Sequence, residues 1–440
     1  MDRTSLAACL DDERMLEAFQ AGLELPAGWR IERVGVTRLF PNKRRRFTIE
    51  YRLGLTGDDG GKRDVHLQGR WSRSGGRRAF ARTSEPPRLS GSGLLGVGLE
   101  LPALSLTVCS PDLDRKLPCL ADALHPPMLA LRLSGTQAAQ RLGIDGGLDS
   151  VRCELARYRS GKRCTLRYCG KETLYAKMFH DQRGRALARL HDQAARHFAS
   201  SGSGTLVPGC VDYVGNMNMV VLEGMEQRGA PDFVSDLTAA QVLADLHRAP
   251  LTVDAAHHPR DELAVARRWL DTFDFLDSHD TRAFRETFER LAAEWQNAEA
   301  AGSALLHRDY HAAQLIPRRS GAALVDLDTL SRGDAETDIA TYLSHLLLEA
   351  LSGGGGGAAF AQRARVFTCE YVKSGGEIND TRLRRYAVSA MLRRGAIQLF
   401  RQPRETATDP LWRAAKHILE SRNSESDSWI DLIARDEPSP

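Results

Sequence analysis

Residues 304–330 read ALLHRDYHAAQLIPRRSGAALVDLDTL, in which two apolar segments are separated by Pro-Arg-Arg-Ser-Gly. Short apolar runs are typical of buried strands, and Pro and Gly between them are typical of a turn. The pattern therefore predicts a buried hairpin formed by residues 304–316 and 323–330, with polar side chains at its ends. A carboxylate in such an apolar setting is unfavourable unless it has a partner or a function.

The polar residues of this hairpin suit phosphoryl transfer. That reaction needs a group that accepts the proton of the attacking hydroxyl and a cation that neutralises charge on the phosphates. Asp309 fits the proton acceptor, and the oxygens of Gln314 and Asp326 are hard donors that suit magnesium. Asp328 is either a second metal ligand or a surface acid.

The same residues resemble the aminoglycoside phosphotransferase and choline kinase group of the protein-kinase-like superfamily. The pattern of that group is H-G-D-x-x-x-x-N, then an apolar strand with I-D-[FW], then G-D-x-x-x-D-[IL]-A. This sequence carries the four elements in that order, as His307-Arg308-Asp309, Gln314, Val325-Asp326-Leu327 and residues 333–340. The resemblance covers the chain from about residue 151 onward.

The resemblance implies an α+β, two-lobed protein-kinase-like fold, with a small β-rich lobe (residues 151–225) and a helical C-terminal lobe (residues 226–440). It implies that Asp309 is the catalytic base and that Gln314 and Asp326 bind Mg²⁺. His307 is predicted to hold the catalytic loop through hydrogen bonds rather than to take part in the chemistry. Asp334 and Asp338 are predicted either to cap the following helix or to bind the loop backbone, rather than to touch the substrate.

The resemblance also implies an ATP site. The lysine of LYAKMF, Lys177, would contact the nucleotide phosphates, and the turn with Ser160 and Gly161 in RYRSGKRCTLRY would cover them. The hinge containing Glu223 and Met225 would bind the adenine through its backbone. The implied function is ATP- and Mg²⁺-dependent transfer of a phosphoryl group to a hydroxyl.

The sequence departs from the family pattern in three respects. Arg308 replaces the usual Gly, Gln314 replaces the usual Asn, and no Glu lies between Asp181 and Leu206 to pair with the lysine. Gln keeps the amide oxygen, so metal binding should survive. The missing Glu leaves Asp181 or Asp192 as the candidate partner of Lys177. Together with Arg308 it motivates an alternative function, a catalytically inactive pseudokinase that binds nucleotide or a partner protein.

The spacing after the hairpin favours a small acceptor. Asp338 follows Asp328 by ten residues, and the long activation and peptide-docking segment of eukaryotic protein kinases has no room there. The predicted partner is therefore a small molecule with a hydroxyl group, either aminoglycoside-like, a sugar or an amino alcohol.

Apolar periodicity predicts the remaining elements of the resembling region. Three strands are expected over residues 154–179, joined by a Ser-Gly-Lys turn, with a helix over 184–198 and a strand at 220–222. Residues 353–357 read as a linker. Helices are expected near residues 239–248, 261–277, 282–301, 337–351, 360–373, 381–402 and 411–420.

Residues 1–142 lie outside the usual core and predict an additional α+β region. An amphipathic helix is expected over residues 10–25, strands from 31 to about 133, and a boundary in the glycine-rich stretch 143–150. The stretch 47–82 matches 164–189 in order and spacing, which places Arg70 where Lys177 stands. The region is either a degenerate copy of the small lobe or an unrelated basic hairpin.

Composition limits the class of partner. The 60 basic and 57 acidic residues leave a net charge of +3, which does not demand nucleic acid or an anionic membrane. The basic clusters at residues 44–46 and 77–78 lack the interleaved aromatic residues of a base-stacking surface, and the apolar stretch 94–109 is too short and too interrupted for a membrane span. The N-terminus lacks a secretory pattern, so a cytoplasmic protein is expected.

The eight cysteines form no C-x-x-C pair, and reduced, buried thiols are expected. A hydrolase-like metal cluster of His307, Asp309 and His311, as alternate residues of one strand, is a rival hypothesis. It is disfavoured because no further set of His or carboxylate ligands accompanies it.

Overall fold

The computed structural model describes residues 2–42, 46–72, 80, 86–90, 93–144, 151–226, 229–276, 281–295, 298, 302–401, 408–420 and 429–435. The chain divides into two compact units. The first comprises Met1–Arg189 with Gly209–Gly224, and the second comprises Leu190–Pro208 with Met225–Pro440. Most of the predicted boundary, residues 145–150, and the basic residues 44, 45, 77 and 78 lie outside the described residues.

The first unit begins with two helices and an antiparallel sheet of five strands in the order β1-β2-β3-β7-β6. The elements are α1 (Asp2–Cys9), α2 (Asp12–Gly22), β1 (Trp29–Asn42), β2 (Arg46–Gly57), β3 (Lys62–Ser72), β4 (Arg88–Ser90), β5 (Gly93–Leu95), β6 (Gly98–Leu101) and β7 (Leu106–Cys109). The predicted helix is α2, which Asp11 caps by accepting from the backbone N–H of Glu13 and Arg14. Its buried Phe19 packs edge-on against Tyr51 of the sheet.

Three short helices follow, and the first two lie where the sequence predicted strands, which were expected up to about residue 133. They are α3 (Leu120–Leu124), α4 (Pro126–Leu133) and α5 (Gln137–Leu142). The prediction was wrong because short apolar runs fit strands and buried helices equally well. The local signals for a helix are Pro126 at the start of α4 and Thr136, which caps α5.

A second antiparallel sheet follows, with its strands in the order β8-β9-β10-β13-β12. The elements are β8 (Arg152–Arg159), β9 (Arg163–Cys169), β10 (Thr173–Phe179), α6 (Gly184–Ser201), β11 (Thr205–Leu206), β12 (Cys210–Val214) and β13 (Met219–Glu223). The predicted three strands, helix and later strand are confirmed. Leu124, Leu133 and Leu142 of the three short helices share one apolar core with Leu166 and Tyr168 of the second sheet.

The two sheets have the same topology. In each, the first three strands form a meander, the last strand along the chain lies beside the third, and the strand before it forms the edge. The registers agree as well. Arg70 lies opposite Thr48 in the first sheet, and Lys177 lies opposite Thr165 in the second. Three residues before each of these cations stands a leucine that lies opposite a buried tyrosine, in the pairs Leu67 with Tyr51 and Leu174 with Tyr168.

The second unit is mainly helical. Its remaining elements are α7 (Asp236–Arg248), α8 (Pro259–Leu276), α9 (Arg282–Trp295), β14 (Ala304–Leu306), β15 (Leu315–Pro317), β16 (Ala322–Leu324), β17 (Ser331–Gly333), α10 (Glu336–Ser352), α11 (Gly356–Lys373), α12 (Asp380–Arg401), α13 (Thr408–Glu420) and α14 (Trp429–Arg435). The seven predicted helices are present, although α14 was not predicted and α11 begins inside the predicted linker. The order of elements confirms the α+β fold class.

Two further sequence-based expectations concern the cysteines and membrane-spanning segments. All eight cysteines lie in the described part of the chain, where none of them forms a disulfide bond, and Cys369 is exposed rather than buried. Among the described residues, no helix is both long enough and apolar enough to cross a membrane.

Candidate active site

The predicted hairpin consists of two separate strand pairs. β15 pairs with β16, so that Leu315 lies opposite Leu324, whereas β14 pairs with β17, so that Leu306 lies opposite Ser331. The predicted hairpin is therefore confirmed at its turn, where residues 315–317 pair with 322–324. It was wrong for β14, which pairs with β17, because apolar runs do not define which strands are partners. The polar residues lie in the two loops between these pairs.

The first loop is held by the buried carboxylate of Asp338. Its two oxygens accept hydrogen bonds of 2.6 Å from the backbone N–H groups of His307 and Arg308, and His247 Nε2 lies 3.2 Å from one of them. Burial raises the pKa of the Asp338 carboxyl, but the hydrogen bond and the charge of His247 outweigh burial and hold that pKa below its ordinary value. The ionised carboxylate therefore binds the backbone of this loop, which is one of the two roles predicted for Asp338.

Arg308 has a left-handed backbone conformation, with φ of 70°. This region favours glycine, which is the residue that the resembling family has at this position. The bond from the Arg308 N–H to Asp338 helps to hold the conformation.

His307 connects the first loop to the second. Its Nε2 lies 2.9 Å from the carbonyl oxygen of Val325, and the hydroxyl of Thr329 donates to the carbonyl of His307 over 2.8 Å. The Val325 N–H donates to the carbonyl of Gln314. These bonds confirm the structural role predicted for His307.

Asp309 points outward from this rigid support. Its side chain is 54% exposed, and Gln314 Nε2 lies 3.4 Å from Asp309 Oδ2. His311 Nε2 lies 4.0 Å from the other carboxylate oxygen, and the His311 ring stacks on His345 with a centroid distance of 4.3 Å. His345, on α10, is a neighbour of the loop that the sequence pattern did not indicate.

Asp326 follows the Val325 that bonds to Gln314, so the backbone brings these two predicted metal ligands together. Asp326 has φ of 64°, in the left-handed region, and Asp328 lies in the single helical turn Leu327–Thr329. With its nitrogen directed at Asp309, the Gln314 amide offers its oxygen as the group for a cation, and oxygen is the donor that Mg²⁺ takes. The donor set therefore fits Mg²⁺.

A metal site whose ligands all come from protein side chains, without help from nucleotide phosphates, would need a larger cluster of ligands. Across the residues that the structure describes, no group of three or more His, Cys, Asp or Glu side chains is placed to hold a metal ion.

The predicted lysine lies in the first unit. Lys177 is buried in β10, opposite Thr165 on one side and Val220 on the other. Asp181, one of its two candidate partners, is bound by the guanidinium of Arg183 at 2.6 and 2.7 Å. The hydrogen bond from Arg183 holds the pKa of the Asp181 carboxyl below its ordinary value.

The turn that was predicted to cover the phosphates lies between β8 and β9. Gly161 has φ of 67°, and both Ser160 and Gly161 are buried. The Ser160 N–H donates to Gln68 Oε1 at 2.8 Å and the Gly161 N–H donates to Asp114 Oδ2 at 2.5 Å. Both backbone donors are therefore bound to residues of the N-terminal region, which sequence reasoning did not anticipate.

The two predicted hinge residues have different partners. In the first unit, the Glu223 N–H donates to the carbonyl of Gly209, and its carboxylate accepts from Arg141 Nη1 at 3.0 Å. In the second unit, the carbonyl oxygen of Met225 accepts from the guanidinium of Arg318.

A buried ionic network lies within electrostatic range of Arg308, and the sequence pattern did not indicate it. Glu262 Oε1 lies 2.8 Å from His257 Nε2 and 3.5 Å from Arg393 Nη1. Burial raises the pKa of the Glu262 carboxyl, but the charges of Arg393, His257 and Arg308 outweigh burial and lower that pKa from 4.5 to about 2. Arg308 thus acts electrostatically on this buried acid.

We expect this network to make stability depend on pH. Because the pKa of Glu262 is depressed in the folded state, its contribution is present above pH 4.5 and is lost as the pH falls towards 2. The difference in unfolding free energy between wild type and Glu262→Gln should shrink by about 3 kcal/mol over that range. Urea denaturation from pH 7 to pH 2 measures it.

Glu286→Gln is the matched control, since Glu286 forms an exposed ion pair with Lys416 on the surface of the same unit. That variant should follow the wild-type pH dependence. Parallel curves for wild type and Glu262→Gln would contradict the ionised state of Glu262.

No protein-family model matches the sequence, and no curated protein matches it. Solved structures do. The choline/ethanolamine kinase family protein from Mesorhizobium loti is 16% identical, with a TM-score of 0.41 and coverage of 61% of this chain and 89% of that chain. Aminoglycoside phosphotransferase APH(4)-Ia is 14% identical, with a TM-score of 0.42 and coverage of 65% and 99%.

Amicoumacin kinase hAmiN, in complex with AMP-PNP, Ca²⁺ and Ami, is 12% identical, with a TM-score of 0.45 and coverage of 70% of this chain and 100% of that chain. Aminoglycoside phosphotransferases and choline kinases are the group that the sequence resembles.

Proposed function

We propose that this protein is a small-molecule kinase, which transfers the γ-phosphate of ATP to a hydroxyl group with the help of Mg²⁺. The observation that carries the proposal is the placement of Asp309. A half-exposed carboxylate stands on a loop whose backbone is held by the buried Asp338, and an amide side chain lies beside it. A proton acceptor needs this combination of access and rigid positioning.

Each residue of the loop then has a role in the transfer. Asp309 accepts the proton of the acceptor hydroxyl while the oxygen of that hydroxyl bonds to the γ-phosphorus. The bond from the γ-phosphorus to the oxygen that bridges it to the β-phosphate breaks, and ADP is released. Gln314 orients the carboxylate through its Nε2. Gln314, Asp326 and Asp328 are the proposed ligands of Mg²⁺, which when bound neutralises charge on the phosphates.

The proposed nucleotide contacts follow the sequence-based assignment. Lys177 is assigned to the phosphates, the turn of Ser160 and Gly161 to the cover over them, and the hinge with Glu223 and Met225 to the adenine. Because the N–H groups of the turn are bound within the protein, the turn would act by its position rather than by those two donors.

The proposed acceptor is small. β17 ends at Gly333 and α10 begins at Glu336, so the chain passes from the catalytic loops directly into a helix. This short passage supports an aminoglycoside-like molecule, a sugar or an amino alcohol rather than a protein substrate.

One observation favours a second candidate function, a pseudokinase. The N–H donors of the turn are bound to Gln68 and Asp114, and the sequence lacks the Glu expected to pair with Lys177. Both features would suit a protein that binds nucleotide or a partner without turnover. Nucleotide binding by itself does not separate the two candidates, whereas turnover does.

The deciding experiment follows ADP release by the full chain with Mg²⁺ and ATP, against a panel of aminoglycosides, sugars and amino alcohols. Release that depends on one acceptor, with a phosphorylated product of the right mass, is the expected result. Binding of ATP without release from any acceptor would overturn the kinase assignment in favour of the pseudokinase.

We expect Asp326→Ala to remove the dependence of nucleotide binding on magnesium. The carboxylate is one of the few proposed ligands, and its loss leaves the cation bound mainly by the phosphates. A thermal-shift titration of ATP with and without Mg²⁺ measures the effect through stabilisation by ligand binding.

Asp254→Ala, which removes an exposed acid elsewhere in the same unit, is the control and should keep the wild-type response. The same Mg²⁺-dependent shift in Asp326→Ala as in wild type would exclude Asp326 as a ligand.

We also propose that the chain has three parts, residues 1–142, 151–225 and 226–440, and that the first contains a degenerate copy of the small-lobe sheet. The common strand order of the two sheets supports this. So does the common register of Arg70 with Thr48 and of Lys177 with Thr165.

A further inference from the structure

A buried carboxylate of the N-terminal region is the centre of a hydrogen-bond cluster at the turn between β8 and β9. Asp114 accepts from Arg70 Nη2 at 3.2 Å, from the Tyr158 hydroxyl at 2.9 Å and from the Gly161 N–H at 2.5 Å. The Lys116 N–H donates to it at 3.0 Å. The Asp114 side chain is fully buried, and Arg70 is 25% exposed.

Two residues of β3 complete the cluster. Gln68 accepts from the Ser160 N–H and donates to the carbonyl of Tyr158, both at 2.8 Å. Arg70 Nε donates to the Ser160 hydroxyl at 2.7 Å. Gln68, Arg70 and Asp114 therefore bind the end of β8 and the turn. They contact Tyr158, Ser160 and Gly161 through two backbone N–H groups, one backbone carbonyl and two hydroxyls.

The sequence of the turn matches this cluster. Gly161 has φ of 67°, and a Cβ at that position would overlap the guanidinium of Arg70. Glycine is needed here both for its backbone conformation and for the close approach of the arginine. The anchoring of the turn is therefore specific. It uses Arg70, whose register position in the first sheet corresponds to that of Lys177 in the second sheet.

We propose that Asp114 is a positioning residue for the nucleotide, and that the N-terminal region orders the phosphate-covering turn through it. This rests on the proposed function. A loose turn would lose conformational entropy when ATP binds, whereas a turn already ordered by Asp114, Arg70 and Gln68 loses that entropy on folding. The Asp114 carboxylate is the hydrogen-bond acceptor of the Gly161 N–H. Without it, that N–H would have to bind water or the nucleotide.

The test compares Asp114→Asn with Asp64→Asn in the full chain. Asp64 is the matched control because it accepts from Arg33 and Arg52 in the same sheet, at an exposed site. Dissociation constants for Mg-ATP, ADP and adenosine are measured by calorimetry. Asp114→Asn should weaken Mg-ATP and ADP about tenfold and leave adenosine within twofold, and Asp64→Asn should change none of them.

An equal loss for all three ligands would reduce Asp114 to a purely structural residue and overturn the proposal. Unchanged affinities would overturn it as well. If Asp114→Asn does not fold, Gln68→Ala, which removes the bonds to Ser160 and Tyr158 without unpairing a charge, takes its place with the same expected pattern.

Hydrogen exchange of the unliganded chain separates this proposal from the proposed function. The peptide covering residues 156–163 should exchange at least tenfold faster in Asp114→Asn than in wild type or Asp64→Asn. Equal exchange would overturn the anchoring by itself, whatever the activity. Faster exchange in a chain that binds no nucleotide would establish the anchoring while contradicting both the proposed function and the role in positioning ATP.

Discussion

Replacing Asp309 by Asn is expected to lower the turnover number by roughly 10²- to 10⁴-fold and to leave the affinity for Mg-ATP nearly unchanged. The range is that of a lost proton acceptor. The substitution keeps the shape of the side chain and its place beside Gln314, so the change is confined to the ability to take a proton. A loss in the turnover number without a loss of nucleotide binding identifies an interaction made in the transition state.

The measurement is steady-state ADP release, with Mg-ATP affinity obtained in parallel by calorimetry. Asp271→Asn is the control, since Asp271 is an exposed acid of α8 and should behave as wild type. Unchanged turnover in Asp309→Asn would remove this carboxylate from the mechanism, even if the protein proved to be a kinase.

Replacing Asp338 by Ala is expected to lower both stability and activity. The change leaves the buried N–H of His307 and the partly buried N–H of Arg308 without their acceptor, and it removes the carboxylate that faces His247. Breaking a buried pair in this way costs about 3 kcal/mol of unfolding free energy. The left-handed conformation of Arg308 would also lose a bond that holds it, so Asp309 should be displaced and turnover should fall more than tenfold.

Asp380→Ala provides the comparison for this variant. Asp338 and Asp380 both lie in the first turn of a helix, but the second is exposed. Denaturation and ADP release are measured for both. A loss of stability in Asp338→Ala no greater than that in Asp380→Ala would refute the loop-holding role.

The contribution of Asp338 to the free energy of unfolding should also depend on pH. Since its folded-state pKa is held below the ordinary value of 3.8, the stabilisation is present above that pH and is lost as the pH falls below it. Wild type and variant should therefore converge in stability under acid conditions.

The elements with strong local patterns were predictable. The strands β8, β9 and β10 and the helices α7 to α13 follow from periodicity and turn residues. The polar residues of the loops were identified by their chemistry and by their resemblance to a family pattern. The helices over residues 120–142 were not predicted, because their short apolar runs fit either kind of element. The pairing of β14 with β17 was missed for a related reason, since periodicity carries no information on which strands are partners.

The sequence alone determined which residues carry the proposed chemistry. His307, Asp309, Gln314 and Asp326 lie within 20 residues of one another, so their order and spacing are local properties. Only the tertiary structure decided what holds the turn at Gly161. Asp114 and Gln68 lie 47 and 92 residues from their partners in that turn, and such bonds depend on sheet register and on the packing of one sheet against another, which no local pattern encodes.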